Sequence, residues 1–285
     1  MRSAMSDGCT ALAKIVGNRY LLAKNRDLIW TDFTDSIVFE KDVLLVRGVD
    51  VSDATTCGAS FGMNRWGLTA CNTTVLVTHD PPYDTLLERV LRECKTVEEA
   101  YALVKEDMSN GSRYQWCNFI LASPQGVGAI EIGDGVCVLE QDNSMITRTN
   151  HHLVLPTAEI LKRASAAERE AGGPLASSQS RRQQAAQLLK DAASTMDIVK
   201  LMGSHAPGRG FDSICRHRKG GKQSNPYLGE TVYSYIAEVS GLASRDMEFR
   251  ISVTPGNPCS GVFKEFVVDF DASDEKKEQL VMRFP

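Results

Sequence analysis

Apolar and polar positions alternate through ALAKIV (Ala11 to Val16) and again through RYLLAK (Arg19 to Lys24). Gly17-Asn18 between them supplies turn chemistry, so Thr10 to Asp27 is expected to fold as a β-hairpin. A third strand is expected in Ser36 to Phe39. Ser60 to Asn72 reads as strand, turn and strand, with Asn64 to Gly67 as the turn. From Asp84 to Ser109 the period changes to helical. Leu86, Leu87, Val90 and Leu91 share one face, and Thr96-Val97-Glu98-Glu99 opens a second half as a capping box. Cys117 to Ala122 and Gly128 to Ile132 alternate as strands. Asp134-Gly135 turns the chain into Val136 to Glu140, and Met145 to Thr149 is short and β-like. Helices are expected over Thr157 to Glu170, ended by Gly172-Gly173-Pro174, and over Ser180 to Ala193 and Met196 to Met202. Gly203 to Pro226 is rich in Gly, basic residues and His and reads as a surface loop. Strands around Thr231 to Val239 and Glu248 to Val253 follow, and Val262 to Phe270 closes the sheet by alternation. Runs of strands broken by runs of helices point to an α+β fold of stacked sheet and helix layers, not a βαβ parallel sheet.

Composition narrows the function classes. With 285 residues, 42% hydrophobic and 24% charged, the chain has an ordinary globular balance and can bury a large core without staples. A net charge of −4 argues against a general nucleic-acid binder. No stretch approaches the ~20 apolar residues of a membrane span. Met1 to Gly8 has no apolar h-region, so a cytoplasmic location and reduced thiols are expected. None of the eight cysteines forms a C-x-x-C pair, and no Cys/His cluster has zinc-ligand spacing along the chain, so no metal is expected. Nucleotide cradles, H-E-x-x-H and G-x-S-x-G are likewise missing, and no cofactor is expected.

One cysteine stands apart. Folding the first hairpin about Gly17-Asn18 brings Gly8-Cys9-Thr10 beside Lys24-Asn25-Arg26-Asp27. A thiol, an amide, two cations and a carboxylate then converge, and cations lower a thiol's pKa. No histidine sits in a recognisable cysteine-protease frame. If Cys9 became the first residue, its own α-amine would be a base within reach of its thiol, with an ordinary pKa of about 7.7–8.0.

These residues resemble the N-terminal nucleophile (Ntn) hydrolases acting on linear amides: choloylglycine hydrolases, penicillin V acylases and, more closely, the autoproteolytic acyltransferase/hydrolase group that includes isopenicillin N acyltransferase. The resemblance runs in order along nearly the whole chain. It begins with Gly8-Cys9-Thr10 and Asn25-Arg26-Asp27, then Phe61-Gly62-Met63-Asn64, Gly67-Leu68 and Asn72. It continues through Asn118-Phe119-Ile120-Leu121, Glu131, Arg148-Thr149-Asn150-His151, Ser180-Arg181, Ile214-Cys215-Arg216-His217 and Gly256-Asn257-Pro258-Cys259. It implies a four-layer αββα sandwich of two stacked, mainly antiparallel sheets. It also implies self-cleavage at Gly8–Cys9, giving a leader of residues 1–8 and one domain of residues 9–285. Cys9 would be the nucleophile and its freed amine the general base. Asp27 matches the carboxylate that holds that amine, Asn150 the side-chain oxyanion donor, Asn72 a second oxyanion or substrate contact, and Arg181 the arginine near the thiol. Where the bile-salt branch has an arginine this chain has Lys24, with Arg26 two residues on; either could supply the site cation. Trp30 and Phe33 read as acyl-pocket lining or plain core residues, and His151, His152 and His217 as pocket-wall or structural residues, while Arg216-His217-Arg218-Lys219 reads as an anion-binding or solvated loop.

The expected reaction is hydrolysis of a linear carbon–nitrogen amide in a small-molecule substrate. Acyl transfer from an acyl-CoA is the rival within enzymes. Asn25-Arg26-Asp27 is also similar to the NRDE-motif family, some of whose members are discussed as ligand carriers. A cysteine dipeptidase is a third rival, although Ala11 stands where those have a second Thr. Related folds form homodimers or homotetramers; nucleic acid and membrane are not expected partners.

Overall fold

The computed structural model describes residues 8–28, 34–49, 55–157, 174–218, 229–242 and 246–285. The first hairpin forms as expected, with β1 (Gly8–Val16) and β2 (Arg19–Leu28). Gly17 turns at φ 60°, a conformation that glycine takes without strain. Further strands are β3 (Ile37–Phe39), β4 (Val43–Val49), β5 (Thr56–Asn64), β6 (Thr69–Leu76), β7 (Trp116–Ser123), β8 (Gly126–Gly133), β9 (Val136–Asp142), β10 (Met145–Arg148), β11 (Glu230–Ser240), β12 (Glu248–Pro255) and β13 (Lys264–Val267). Helices are α1 (Asp84–Glu93), α2 (Val97–Ser109), α3 (Pro174–Asp191), α4 (Thr195–Met202) and α5 (Asp274–Arg283). The predicted cap is present, with the Glu99 N–H donating to Thr96 Oγ1 at 3.1 Å. Asp134 and Gly135 both turn at positive φ, 54° and 70°, as a two-residue hairpin loop requires.

The strands build two antiparallel sheets. One has six strands in the order β10-β1-β2-β11-β12-β13, and the other seven in the order β3 to β9. Ala11, Ala13, Tyr20 and Leu22 meet Leu44, Phe61, Met63 and Ile120 in the core between the sheets. Leu12, Leu21 and Ala23, on the other face of the same hairpin, pack under Ala185, Leu189 and Ile198 of α3 and α4. Leu86, Leu87, Val90 and Leu91 cover the outer face of the seven-stranded sheet. The result is the expected αββα sandwich.

Three differences are informative. β4 and α5 were not anticipated: β4 carries Arg47 and Gly48 inside an apolar run, and only two apolar residues of α5, Leu280 and Val281, pack against the core, too few for a clear period. The stretch after α4 is not simply a surface loop, because Phe211, Ile214, Cys215 and Arg216 are buried. The expected helix over Thr157 to Glu170 lies, after Thr157, outside the described residues, as do Trp30 and Phe33.

Candidate active site

Strand alternation divides the site between the two faces of the six-stranded sheet. Register pairs Gly8 with Asp27, Cys9 with Arg26 and Ala11 with Lys24. Cys9, Lys24 and Arg26 therefore share the face toward the second sheet. Thr10, Asn25 and Asp27 share the face toward α3 and α4. The Gly8–Cys9 peptide lies where the two sets meet.

On the helix side, Arg181 of α3 reaches the start of β1. Its Nη1 donates to the Cys9 carbonyl oxygen at 2.7 Å and to Thr10 Oγ1 at 3.1 Å, and its Nη2 donates to Asn150 Oδ1 at 2.7 Å. The same Asn150 oxygen accepts the Cys9 N–H at 3.1 Å. Asn150 thus faces Cys9 through its carbonyl oxygen, while its Nδ2 donates to the Thr74 carbonyl at 2.7 Å. Asp27 accepts from Thr231 Oγ1 at 2.7 Å, and its other oxygen lies 3.6 Å from Arg216 Nε. Arg216 stacks on Phe211 at 3.9 Å from the ring centroid and packs against Gly8 so closely that a Cβ there would lie 2.3 Å from its Nη1. Arg216 is therefore a buried partner of Asp27 and not part of a solvated basic loop.

Sequence alone suggested that the neighbouring cations would lower the Cys9 pKa. Lys24 and Arg26 do pull it down, but the net shift is upward. Burial of the thiol raises its pKa and outweighs the opposing pull of Lys24. Cys9 rests as a neutral thiol and needs a base to act as a nucleophile. Burial likewise raises Asp27 above the usual carboxylate range, against the pull of Arg216 and Arg181.

The supports of Asn150 are themselves fixed. Its N–H donates to Ser178 Oγ at 2.8 Å, and that hydroxyl lies 2.8 Å from His151 Nδ1. Burial, with Arg182 and Arg181 nearby, lowers His151 to about 4, so the ring is neutral at physiological pH. The ring braces Ser178. The Glu131 carboxylate accepts the N–H groups of Leu153, Val154 and Leu155 at 2.7, 2.9 and 2.9 Å, pinning the turn that follows.

On the other face, Lys24 is buried. Its Nζ donates to Ser60 Oγ at 2.6 Å and to Asn72 Oδ1 at 2.9 Å. Asn72 Nδ2 donates to the Ala59 carbonyl at 3.2 Å and to Asp84 Oδ1 at 3.0 Å, so its amide is engaged within the protein. Arg26 pairs with buried Asp35 and donates to the Arg47 carbonyl at 3.1 Å. Of the two candidate cations, Lys24 is the one whose charge acts most strongly on Cys9.

Asp84 is the residue that sequence reasoning missed, because an Asp opening a helix is explained by the helix alone. It is buried, and two glycines admit it. A Cβ on Gly48 would lie 2.4 Å from Asp84 Oδ1, and one on Gly58, at φ 41°, 2.1 Å from its backbone carbonyl. Burial raises Asp84 from 3.8 to about 7, against the pull of Lys24 and Arg26. The native state then holds this proton where the unfolded chain has lost it, so Asp84 makes stability fall as pH rises from about 4 to 7. Asp84→Asn keeps the acceptor for Asn72 and removes the titration. In denaturant melts, the stability of the variant relative to the parent is expected to climb across that range and level off above it. A pH-independent difference would remove Asp84 as the titrating group.

No curated protein sequence matches the chain. Among solved structures, penicillin V acylase from Agrobacterium tumefaciens superposes with a TM-score of 0.52 at 14% identity, covering 95% of this chain and 89% of that one. A variant of conjugated bile acid hydrolase from Clostridium perfringens gives 0.50 at 13% identity, covering 93% and 98%. At such identities the likeness is one of fold, the Ntn-hydrolase sandwich. The family described as acyl-coenzyme A:6-aminopenicillanic acid acyl-transferase matches residues 16–240, most of the chain. The chain belongs to that acyl-transferase family, within the group of Ntn-hydrolase folds that includes the choloylglycine hydrolases.

Proposed function

We propose that this chain is a self-activating N-terminal-cysteine amidohydrolase or acyltransferase, matured by cleavage at Gly8–Cys9. The observation that carries the reading is the clasp around Cys9: Asn150 holds its nitrogen, Arg181 its carbonyl, and Asp27 pairs across from Gly8. The N–H of the Gly8–Cys9 bond and the carbonyl of the peptide after it are held by buried polar side chains from two distant parts of the chain, which an ordinary strand terminus does not need.

Maturation follows from the same groups. The Cys9 sulfur attacks the Gly8 carbonyl carbon, the C–N bond breaks and the amine takes a proton. Water then cleaves the thioester, releasing residues 1–8 as an acid and leaving Cys9 with a free amine. That amine is the base the raised thiol requires. Asp27 sits across from it, and Asn150 Oδ1 is already placed to accept a hydrogen bond from it. In turnover, Cys9 attacks a substrate amide or thioester carbonyl. Asn150 Nδ2, released from Thr74, and a backbone N–H serve the oxyanion. The acyl-enzyme is then resolved by water or by an acceptor amine.

Hydrolysis of a linear amide is the preferred net reaction. The family description, which names an acyl-coenzyme A and an amine acceptor, supports transfer as the second reading. A mass-tagged acyl donor supplied with and without an amine separates the two. Tag found only as free acid establishes hydrolysis, and tag on the amine establishes transfer. An intact chain that binds small molecules without turnover would identify a carrier.

Gly8 gives a second check. Gly8→Ala drives a methyl into the Arg216 guanidinium and should slow processing at least about tenfold, read as the half-life of the precursor band. Unchanged processing would show that Arg216 has no part in presenting the bond.

A further inference from the structure

We infer that this protein carries a structural zinc site formed by His205, Cys215, His217 and Cys259. The four ligand atoms lie within 4.8 Å of one another. His217 Nε2 sits 3.0 Å from His205 Nε2, 3.6 Å from Cys215 Sγ and 3.5 Å from Cys259 Sγ. Zinc held by two sulfurs at about 2.3 Å and two nitrogens at about 2.0–2.1 Å places its tetrahedral ligand atoms about 3.3–3.8 Å apart. The two His217-to-sulfur edges fall in that range, the His205–His217 edge is about 0.3 Å short of it, and the other three edges are within 4.8 Å.

Hydrogen bonding does not account for the cluster. An imidazole nitrogen has either one proton or one lone pair and can serve one partner well. Here one nitrogen faces three. A cation at the centre satisfies all four atoms at once. Two thiolates and two imidazoles in a tetrahedral arrangement select zinc over hard cations such as magnesium or calcium. The residues come from separate stretches with no common ligand spacing, which is why the sequence pointed to no metal.

The site has a structural use. The Cys215 N–H donates to the Ser204 carbonyl at 2.9 Å, and Asn257 Nδ2 donates to the Arg216 carbonyl at 2.9 Å. Zinc would tie the stretch after α4 to the turn after β12, and Arg216 lies between two of its ligands. The metal would thereby fix the arginine that packs on Gly8 and pairs with Asp27. All four coordination positions are filled by protein, so the site is closed and has no open position for substrate.

The full-length chain, purified anaerobically under reducing conditions, loaded with Zn²⁺ and dialysed against metal-free buffer, should retain one zinc per chain by elemental mass spectrometry. Co²⁺ in its place should give an intense thiolate-to-metal charge-transfer band. Cys259→Ser alters an exposed residue, and circular dichroism should show it folded. It should bind zinc at least about tenfold more weakly and lose about half of that band. His205→Ala should weaken zinc similarly while keeping the band. Absence of zinc from the folded parent, zinc bound as tightly by both variants as by the parent, or a Cys215–Cys259 disulfide in the anaerobic protein would each overturn the assignment.

Discussion

Cys9→Ala is expected to yield a chain that keeps residues 1–8 and shows no turnover above background. The loss should be on the order of 10⁴-fold or more, the scale seen when a nucleophile is removed from a cooperative catalytic set. The methyl group fits the space of the thiol, and the hairpin register does not depend on sulfur, so the variant should fold and unfold like the parent. Cys9→Ser is the informative companion. A hydroxyl is harder to activate than a thiol, so processing should become slow or stop while the structure is kept. Cleavage of the alanine variant at the normal rate by the purified protein itself would remove Cys9 from maturation. Normal turnover by it would remove Cys9 from catalysis.

Arg181→Met should give the second-largest effect. The side chain has similar length and no donors. It would leave the Cys9 carbonyl, Thr10 Oγ1 and Asn150 Oδ1 without their guanidinium partner in a buried site. Destabilisation of about 3 kcal/mol is expected from such unpaired buried groups. Activity should fall on the order of 10²-fold even at temperatures where the variant is fully folded, because Asn150 loses one of the two donors that hold its oxygen. Arg181→Lys should restore only part of either quantity, since one ammonium cannot reproduce a two-armed contact. Equal activity of the methionine variant in its folded range would reduce Arg181 to a structural residue.

The first hairpin was the most legible part of the fold. Its turn, alternation and ends lie within twenty-one residues, Gly8 to Leu28, so the pairing of Gly8 with Asp27 could be read from local chemistry. Asn150 and Arg181 were not legible in that way. They meet Cys9 across 141 and 172 residues, and no periodicity links positions so far apart; only the ordered resemblance to known enzymes singled them out. The sign of the Cys9 shift could not be read either. Sequence shows which charges are near, but burial, the larger effect here, is a property of the assembled sandwich. Asp84 was hidden because its sequence context already explained it, and the two glycines that admit it lie on different strands. His205, Cys215, His217 and Cys259 were hidden because their spacing fits no ligand pattern and only the fold gathers them.

The central claim is that the working enzyme begins at Cys9. Intact-mass measurement of purified, active protein, with N-terminal sequencing of the same sample, tests it most directly. The expected result is a chain running from Cys9 to Pro285 with a free α-amine, and a precursor that converts to it without added protease. Full activity in a homogeneous chain that still carries Gly8 would contradict the account.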